Sequence, residues 1–267
     1  MSSACPGAAP YTRGVDAGSG LARLRRAFEA EWRSEGKELA HGFEHLVRRC
    51  EELLRDEDLR GQSVLEVGAG RGFLSIYALV CRGAAHVTAL DEYEGHGSSL
   101  GSHDGLVRLR AHLSQEPRLE IARSDFLEWT PSRRFDCILL VNALHHIVET
   151  PRPLSRDAEP WQRALRTFER VRRALAPGGR LIVQELSCRN YCPIPHYRRR
   201  MSGVRWRTKQ APREWCKALR ASGFTETRVR YRYPLNLPER AALRPLLANR
   251  LVSLATDSSY VIRASAS

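Results

Sequence analysis

The chain has 267 residues, of which 42% are hydrophobic and 27% charged, as in a globular protein large enough for one α/β domain with an additional element. No apolar run approaches the length of a membrane span, and the first residues lack the pattern of a secretion signal, so we expect a cytoplasmic protein without a membrane segment. The net charge of +13 leaves a nucleic-acid partner open without favouring it, because all but three of the 43 basic residues are arginines spread along the chain.

The first sixty residues show a tail of small residues followed by helical patterns. Residues 1–20 are rich in Gly, Ala, Ser and Pro, which predicts a disordered tail. Apolar residues then recur at helical spacing from Leu21 to Trp32 and again from Leu39 to Leu54. We therefore predict a helical N-terminal cap over residues 21–60.

From residue 61 to residue 267, short apolar runs alternate with helical segments, which is the pattern of a doubly wound α/β sheet. A helix is expected to end at the stop signal "PGG" at 177–179, and further helices are predicted over 211–224 and near 238–249. The predicted strands are 63–67, 86–90, 119–122, 135–141, 180–186, 225–233 and 259–263.

The run "TETRVRYRY" (225–233) alternates charged with uncharged residues. Alternation of this kind is typical of a strand with one solvated face, so we predict an edge strand. Arg228, Arg230 and Arg232 are expected to point into solvent from it.

The run "VLEVGAGRG" (64–72) ends the first predicted strand in a glycine-rich turn. Gly68, Gly70 and Gly72 would let the backbone turn sharply and approach a ligand closely. The spacing is G-x-G-x-G rather than the G-x-G-x-x-G of dinucleotide sites, and Glu66 precedes the first glycine by two residues. A carboxylate at that position repels a pyrophosphate and suits a positive ammonium group, which favours S-adenosyl-L-methionine as the ligand.

Two further acids end neighbouring strands. Asp91 closes "VTALD", where its carboxylate could accept the hydroxyls of a ribose, and its alternative role is a solvated loop acid. Asp125 follows the third strand, where it could accept the adenine amino group while Phe126 packs nearby. Its alternative role is to cap a helix.

These motifs together resemble the class I S-adenosylmethionine-dependent methyltransferases over about residues 60–233. Besides the glycine turn, the resemblance is carried in order by "ALDEYE", "SDFLEW", "LLVNALHHI" and "RRALAPGGRLIVQE". It implies a Rossmann-like sheet of seven strands, mostly parallel, with an antiparallel last strand. It also implies cofactor contacts from Glu66, Gly68 and Gly70 to the methionine part, from Asp91 to the ribose, from Asp125 to the adenine, and from the segment that begins at Asn142 near the methyl group.

A general base is needed only where the acceptor still carries a proton at neutral pH, because the leaving group of a sulfonium is already activated. His145 and His146 follow the fourth strand and are the candidate bases, while a packing role for either stays open. The segment 187–210, with Tyr191, Tyr197 and Trp206 among arginines, is predicted to form a cap insertion over the acceptor, or else an ordinary surface loop.

The cysteines carry little functional signal. The seven residues lack a disulfide framework spacing, so we predict free, mostly buried thiols. Cys188, Cys192 and His196 come nearest to a zinc pattern but lack a fourth ligand and paired spacing, so we predict no metal.

Three functions remain open from the sequence. The favoured one is transfer of a methyl group to an oxygen or nitrogen of a small-molecule acceptor. The alternatives are an RNA or tRNA methyltransferase, which the basic charge suits, and a non-catalytic cofactor-binding protein. The segment "NALHH" after the fourth strand lacks the Asn/Asp-Pro-Pro-aromatic run that related enzymes use to hold a flipped base, which disfavours the RNA alternative. The oligomeric state stays open.

Overall fold

The computed structural model describes residues 17–34, 42–93, 102–114, 116–190, 204–234, 237 and 241–266. The strands in these ranges are β1 (Ser63–Val67), β2 (His86–Asp91), β3 (Leu119–Arg123), β4 (Phe135–Val141), β5 (Leu175–Leu186), β6 (Phe224–Tyr231) and β7 (Ser259–Ala266). The helices are α1 (Ala17–Ser34), α2 (Gly42–Leu53), α3 (Phe73–Val80), α4 (Ser102–His112), α5 (Leu144–Ile147), α6 (Ala158–Ala174), α7 (Pro212–Ala221), α8 (Arg244–Leu247) and α9 (Arg250–Ala255).

The seven strands form one sheet in the order β3-β2-β1-β4-β5-β7-β6. Strands β1 to β5 pair in parallel, whereas β7 is antiparallel to both of its neighbours, β5 and β6. The predicted Rossmann-like sheet with an antiparallel last strand is confirmed. Because the carboxyl ends of β1 to β5 meet at one edge, groups that follow these strands in the sequence come together there.

Strand β5 begins earlier than its apolar run indicates. Helix α6 ends at Ala174, and β5 already pairs with β4 at Leu175, across from Phe135. The register then shifts before Cys137 meets Arg180. A Cβ on Gly179 would lie 2.8 Å from the carbonyl oxygen of Ala176, so only glycine fits at this position. The residues predicted to stop the helix therefore also form the irregular first part of β5.

The two N-terminal helices share a core with the sheet rather than packing only on each other. The rings of Phe28 in α1 and Phe43 in α2 both contact Phe73 at the start of α3, with centroid separations of 4.6 and 5.8 Å. Helix α1 begins at Ala17, so residues 17–20 of the predicted disordered tail are helical, and residues 1–16 lie outside the described ranges. Gly20 approaches Val80 so closely that a Cβ would lie 2.3 Å from its carbonyl oxygen. A cap role for these helices stays a prediction.

The helix predicted near 238–249 is present but shorter. A 3₁₀ turn (Ala241–Leu243) runs into α8, a separate helix α9 begins at Arg250, and residues 238–240 lie outside the described ranges. The break lies at Asn249, whose side-chain oxygen accepts hydrogen bonds from the backbone N–H groups of Leu251 and Val252. This N-cap starts a new helix and ends the previous one.

Strand β6 lies at the sheet edge, as predicted, but it ends at Tyr231, and the arginines of the predicted run 225–233 do not share one solvated face. Arg228 is exposed, whereas Arg232 is buried with 4% of its surface exposed. Arg230 and Arg244 both bind the buried carboxylate of Glu52 in α2, at 2.9 and 2.5 Å. The alternation of charged and uncharged residues therefore predicted the strand. It did not reveal that Glu52 on α2 binds Arg230 and Arg244.

Glu52 should be a stabilising residue, and Glu52→Gln tests this. Burial alone would raise its pKa, but the hydrogen bond from Arg244 and the charges of Arg230 and Arg244 outweigh burial and lower it. Removing the charge deprives two partly buried guanidinium groups of this carboxylate, so we expect a loss of about 2–3 kcal/mol in urea unfolding at pH 7. Because the folded pKa is depressed, this contribution is complete above about pH 4.5 and is lost as the pH falls further.

The control for that variant is Glu226→Gln. Glu226 lies on the exposed part of β6 and meets Arg228 only at 3.9 Å. Its loss should cost less than about 0.5 kcal/mol. Equal losses in the two variants would contradict the role assigned to Glu52.

Candidate active site

The glycine-rich turn lies between β1 and α3, against the end of β2. The backbone N–H groups of Gly68 and Ala69 both donate to the carbonyl oxygen of Leu90, at 2.8 and 3.1 Å. Gly68, Gly70 and Gly72 all have positive φ, at 76°, 51° and 68°, a region in which a side chain is strained. A Cβ on Gly68 would also lie 2.9 Å from that of Ala143, so the turn is packed closely against the segment after β4.

Asp91 holds the turn from the neighbouring strand end. One carboxylate oxygen accepts the N–H of Gly70 at 2.8 Å, and the other accepts the N–H of Tyr93 at 2.8 Å. A carboxylate has about four acceptor positions, so these two bonds leave capacity for further donors. Asp91 therefore binds the glycine turn as well as its own loop, and its contact to a ribose stays a prediction.

Glu66 is a buried carboxyl group near the end of β1, with 4% of its surface exposed. The Ser75 hydroxyl, in the first turn of α3, donates to it at 2.5 Å. Among the described residues, no arginine, lysine or histidine pairs with it. Burial outweighs the hydrogen bond and raises its pKa to about 8, and the charge of Asp91 acts in the same direction. Glu66 is therefore largely protonated at neutral pH and would ionise beside a cation.

Asp125 and Phe126 begin a turn after β3. One carboxylate oxygen of Asp125 accepts the N–H of Leu127 at 2.7 Å, and its carbonyl accepts the N–H groups of Glu128 and Trp129. Asp125 therefore caps a turn rather than the helix that the alternative interpretation expected, and one of its carboxylate oxygens is engaged there. Phe126 is buried in the core, and a contact from either residue to a ligand stays a prediction.

Beyond β4 the chain turns at Asn142, whose φ is 54° and whose N–H donates to the carbonyl oxygen of Gln184 in β5 at 2.8 Å. This turn leads into α5, which carries His145 and His146. Their ring centroids lie 4.1 Å apart. Residues after β4 are thereby tied to the end of β5.

His145 is paired with Glu185, an acid that the sequence analysis did not single out. Its Nδ1 lies 2.9 Å from the Glu185 carboxylate, and both side chains are buried. The ring donates through Nδ1 to the acid, which leaves Nε2 as an acceptor. Glu185 lies near the carboxyl end of β5, so the strand-end rule that found Asp91 also applies to it.

The 187–210 segment is described at residues 187–190 and 204–210. Its second part places Lys209 at the sheet edge formed by the carboxyl ends of the parallel strands. Lys209 is buried, and burial lowers its pKa. The pKa of His146 is also lowered, by burial first and then by the charges of His145 and Lys209. Tyr191 and Tyr197 lie outside the described ranges, and Trp206 is half-buried in a 3₁₀ turn. The cap insertion stays a prediction.

The described residues contain neither a metal-binding cluster nor a helix that could span a membrane. No group of three potential ligands among the described residues could hold a metal, and Cys192 and His196 lie outside those ranges. None of the described helices combines the length and the apolar character that a bilayer span requires.

A family model described as a methyltransferase domain matches residues 36–228. The match covers most of the chain, so the chain belongs to this methyltransferase family. Together with the sheet order, it places the chain among the class I S-adenosylmethionine-dependent methyltransferases, whose cofactor is S-adenosyl-L-methionine.

Solved structures share the fold at low sequence identity. The pyocyanin biosynthetic protein PhzM is 20% identical, with a TM-score of 0.54, over 92% of this chain and 61% of its own. The glycopeptide N-methyltransferase MtfA, complexed with sinefungin, is 16% identical, with a TM-score of 0.54, over 82% and 85%. Phosphoethanolamine N-methyltransferase 2 of Haemonchus contortus is 17% identical, with a TM-score of 0.54, over 93% and 57%. This chain thus spans about three fifths of the length of PhzM and of the phosphoethanolamine N-methyltransferase. Among curated protein sequences, none matches it significantly.

The raised pKa of Glu66 predicts that Glu66→Gln stabilises the ligand-free protein. Folding must protonate an acid that is ionised in the unfolded chain, which costs about 3 kcal/mol at pH 7 for a shift from 4.5 to about 8. A neutral amide avoids this cost. Since the folded pKa is raised, the contribution of Glu66 to stability is greatest below pH 4.5 and decreases toward pH 8, so the advantage of the variant should grow over that range.

Urea unfolding at pH 6, 7 and 8 measures the difference, with Glu159→Gln in the exposed first turn of α6 as the control. The control should stay within about 0.5 kcal/mol of wild type at each pH. A Glu66→Gln variant that is less stable than wild type throughout would show that the ionised carboxylate has a structural partner.

Proposed function

We propose that the chain transfers a methyl group from S-adenosyl-L-methionine to an oxygen or nitrogen of a small-molecule acceptor. The observation that carries the proposal is Glu66, a carboxyl group buried beside the glycine turn without a cationic partner among the described residues. Such a group is unfavourable in the free protein and favourable once a ligand brings a positive charge.

The residues around Glu66 fit the cofactor. Glu66 would accept the ammonium group of the methionine part, and the glycine turn would let the backbone approach that part without a side-chain clash. Asp91 has acceptor positions left for ribose hydroxyls, and Asp125 has a second oxygen for the adenine amino group. When bound, the cofactor supplies a methyl group on a positively charged sulfur, which needs no further activation.

On the acceptor side we assign His145 as the proton acceptor and Glu185 as its positioning residue. The Nδ1–H of His145 donates to Glu185, which holds one tautomer and directs Nε2 away from the acid. A neutral imidazole in this position can take the proton of a hydroxyl or an ammonium acceptor. His146, whose pKa is lowered, is the alternative proton acceptor.

Small acceptors are supported by the proteins that share the fold. Two of the similar solved structures are a glycopeptide N-methyltransferase and a phosphoethanolamine N-methyltransferase.

The test is incubation with cofactor carrying a labelled methyl group and a cell extract separated into small-molecule, RNA and protein fractions. We expect label in the small-molecule fraction. Label only in RNA, with a steep decrease at higher salt, would establish the RNA alternative instead. Absence of label with intact cofactor binding would point to the non-catalytic alternative.

Two alanine variants of glycines control this experiment. Gly68→Ala should abolish labelling, because the Cβ would lie 2.9 Å from that of Ala143 and distort the turn. Gly61→Ala has a comparable positive φ of 70° but open space around the Cβ, so it should keep labelling despite a similar backbone strain.

Glu185→Gln should slow transfer while leaving cofactor affinity close to that of wild type. Loss of the carboxylate removes the group that orients His145, so we expect kcat to fall by about 10²-fold or more. His146→Asn is the comparison: a larger loss there, with little effect of Glu185→Gln, would transfer the role to His146.

A further inference from the structure

Lys209 is held in place by the residue that follows it. The side-chain amide of Gln210 donates to the carbonyl oxygens of Thr150 and Arg152, at 3.3 and 2.9 Å, and its oxygen accepts the N–H of Leu154 at 3.0 Å. Gln210 is itself buried. The backbone that carries Lys209 is therefore fixed against the segment after α5.

A second link ties this backbone to the candidate active site. Tyr260 of β7 pairs in register with Glu185 of β5, and its hydroxyl donates to the carbonyl oxygen of Gln210 at 3.0 Å. Lys209 and Glu185 consequently lie near each other: the charge of Glu185 acts to raise the pKa of Lys209, and that of Lys209 acts to lower the pKa of His146. The ammonium group thus acts on the side of the site that carries Glu185 and His146.

The charge of Lys209 has no ionic partner in the part of the chain that the structure describes. The two acids whose charges act on it each pair with another residue, Glu185 with His145 at 2.9 Å and Glu149 with Arg205 at 3.9 Å. Neither of these two acids forms an ion pair with the ammonium, and the charge of Arg205 opposes theirs. Only 7% of Lys209 is exposed, and a buried charge is costly without a partner.

We propose that Lys209 binds an anionic group, a carboxylate or a phosphate, on the methyl acceptor. An anion there compensates the buried ammonium and holds the acceptor with its hydroxyl or amine toward His145. The inference rests on the proposed function for the identity of the ligand as acceptor, whereas the anion site itself depends only on the charges around Lys209. The proposed anion site restricts the expected methyl acceptors to small molecules that carry an acidic group.

The test uses small probes and calorimetry, so it does not require the true acceptor. Benzoate, phenyl phosphate and inorganic phosphate are titrated into the protein with and without S-adenosylhomocysteine, and benzamide serves as the neutral counterpart of benzoate. We expect at least one anion to bind wild type tenfold or more tightly than benzamide. Comparison of benzoate with phenyl phosphate distinguishes a carboxylate site from a phosphate site.

Three variants assign the preference to its residue. Lys209→Met should lose the tenfold preference and Lys209→Arg should keep it within about threefold, because the charge is retained. Lys217→Met removes a lysine on α7 whose side chain is half exposed and pairs with Glu214, and it should behave as wild type. If Lys209→Met does not fold, Lys209→Gln takes its place in the same comparison with Lys217→Met.

Equal binding of anions and benzamide to wild type would overturn the proposal, as would equal losses in Lys209→Met and Lys217→Met, which would indicate general surface charge. Titration of S-adenosylhomocysteine alone reports separately on the proposed function. Loss of that binding with the anion preference intact would contradict the function and leave the anion site.

Discussion

A carboxyl group buried without a cation is the constraint on which this site depends. Glu66 belongs to a central strand and is covered by α3, so it cannot turn to solvent without breaking the core. Its pKa of about 8 expresses the cost of an unpaired charge there. Natural proteins retain such a cost where a ligand removes it, because the free energy lost in the free protein is recovered as affinity.

The charges along the sheet edge change sign from one side of the site to the other. Glu66 and Asp91 give the glycine-turn side an acidic character, which suits the ammonium and hydroxyl groups of the cofactor. On the β5 side, the His145–Glu185 pair is accompanied by Lys209, whose ammonium group forms no ion pair with a described residue. A cationic cofactor and an anionic acceptor would therefore each be attracted to its own side, and electrostatics alone would order the two ligands.

The sequence predicted those parts of the site that follow from local pattern. Apolar runs located the strands, and a strand-end acid such as Asp91 could be assigned to the common edge from its position in the sequence alone. Contacts between distant segments could not be predicted in this way. Lys209 reaches the site only because Gln210 and Tyr260 join two remote segments, and Arg230 turns from solvent because Glu52 lies on a helix about 180 residues earlier.

The measurement that tests the account most directly is the number of protons released when S-adenosylhomocysteine binds at pH 7, from calorimetry in buffers of different ionisation enthalpy. A protonated Glu66 that ionises against the ligand's ammonium group should release about one proton per molecule bound, since its pKa is about 8 before binding. Glu66→Gln should bind more weakly and release about one proton fewer. Equal proton release by wild type and the variant would contradict the central role given to this carboxyl group.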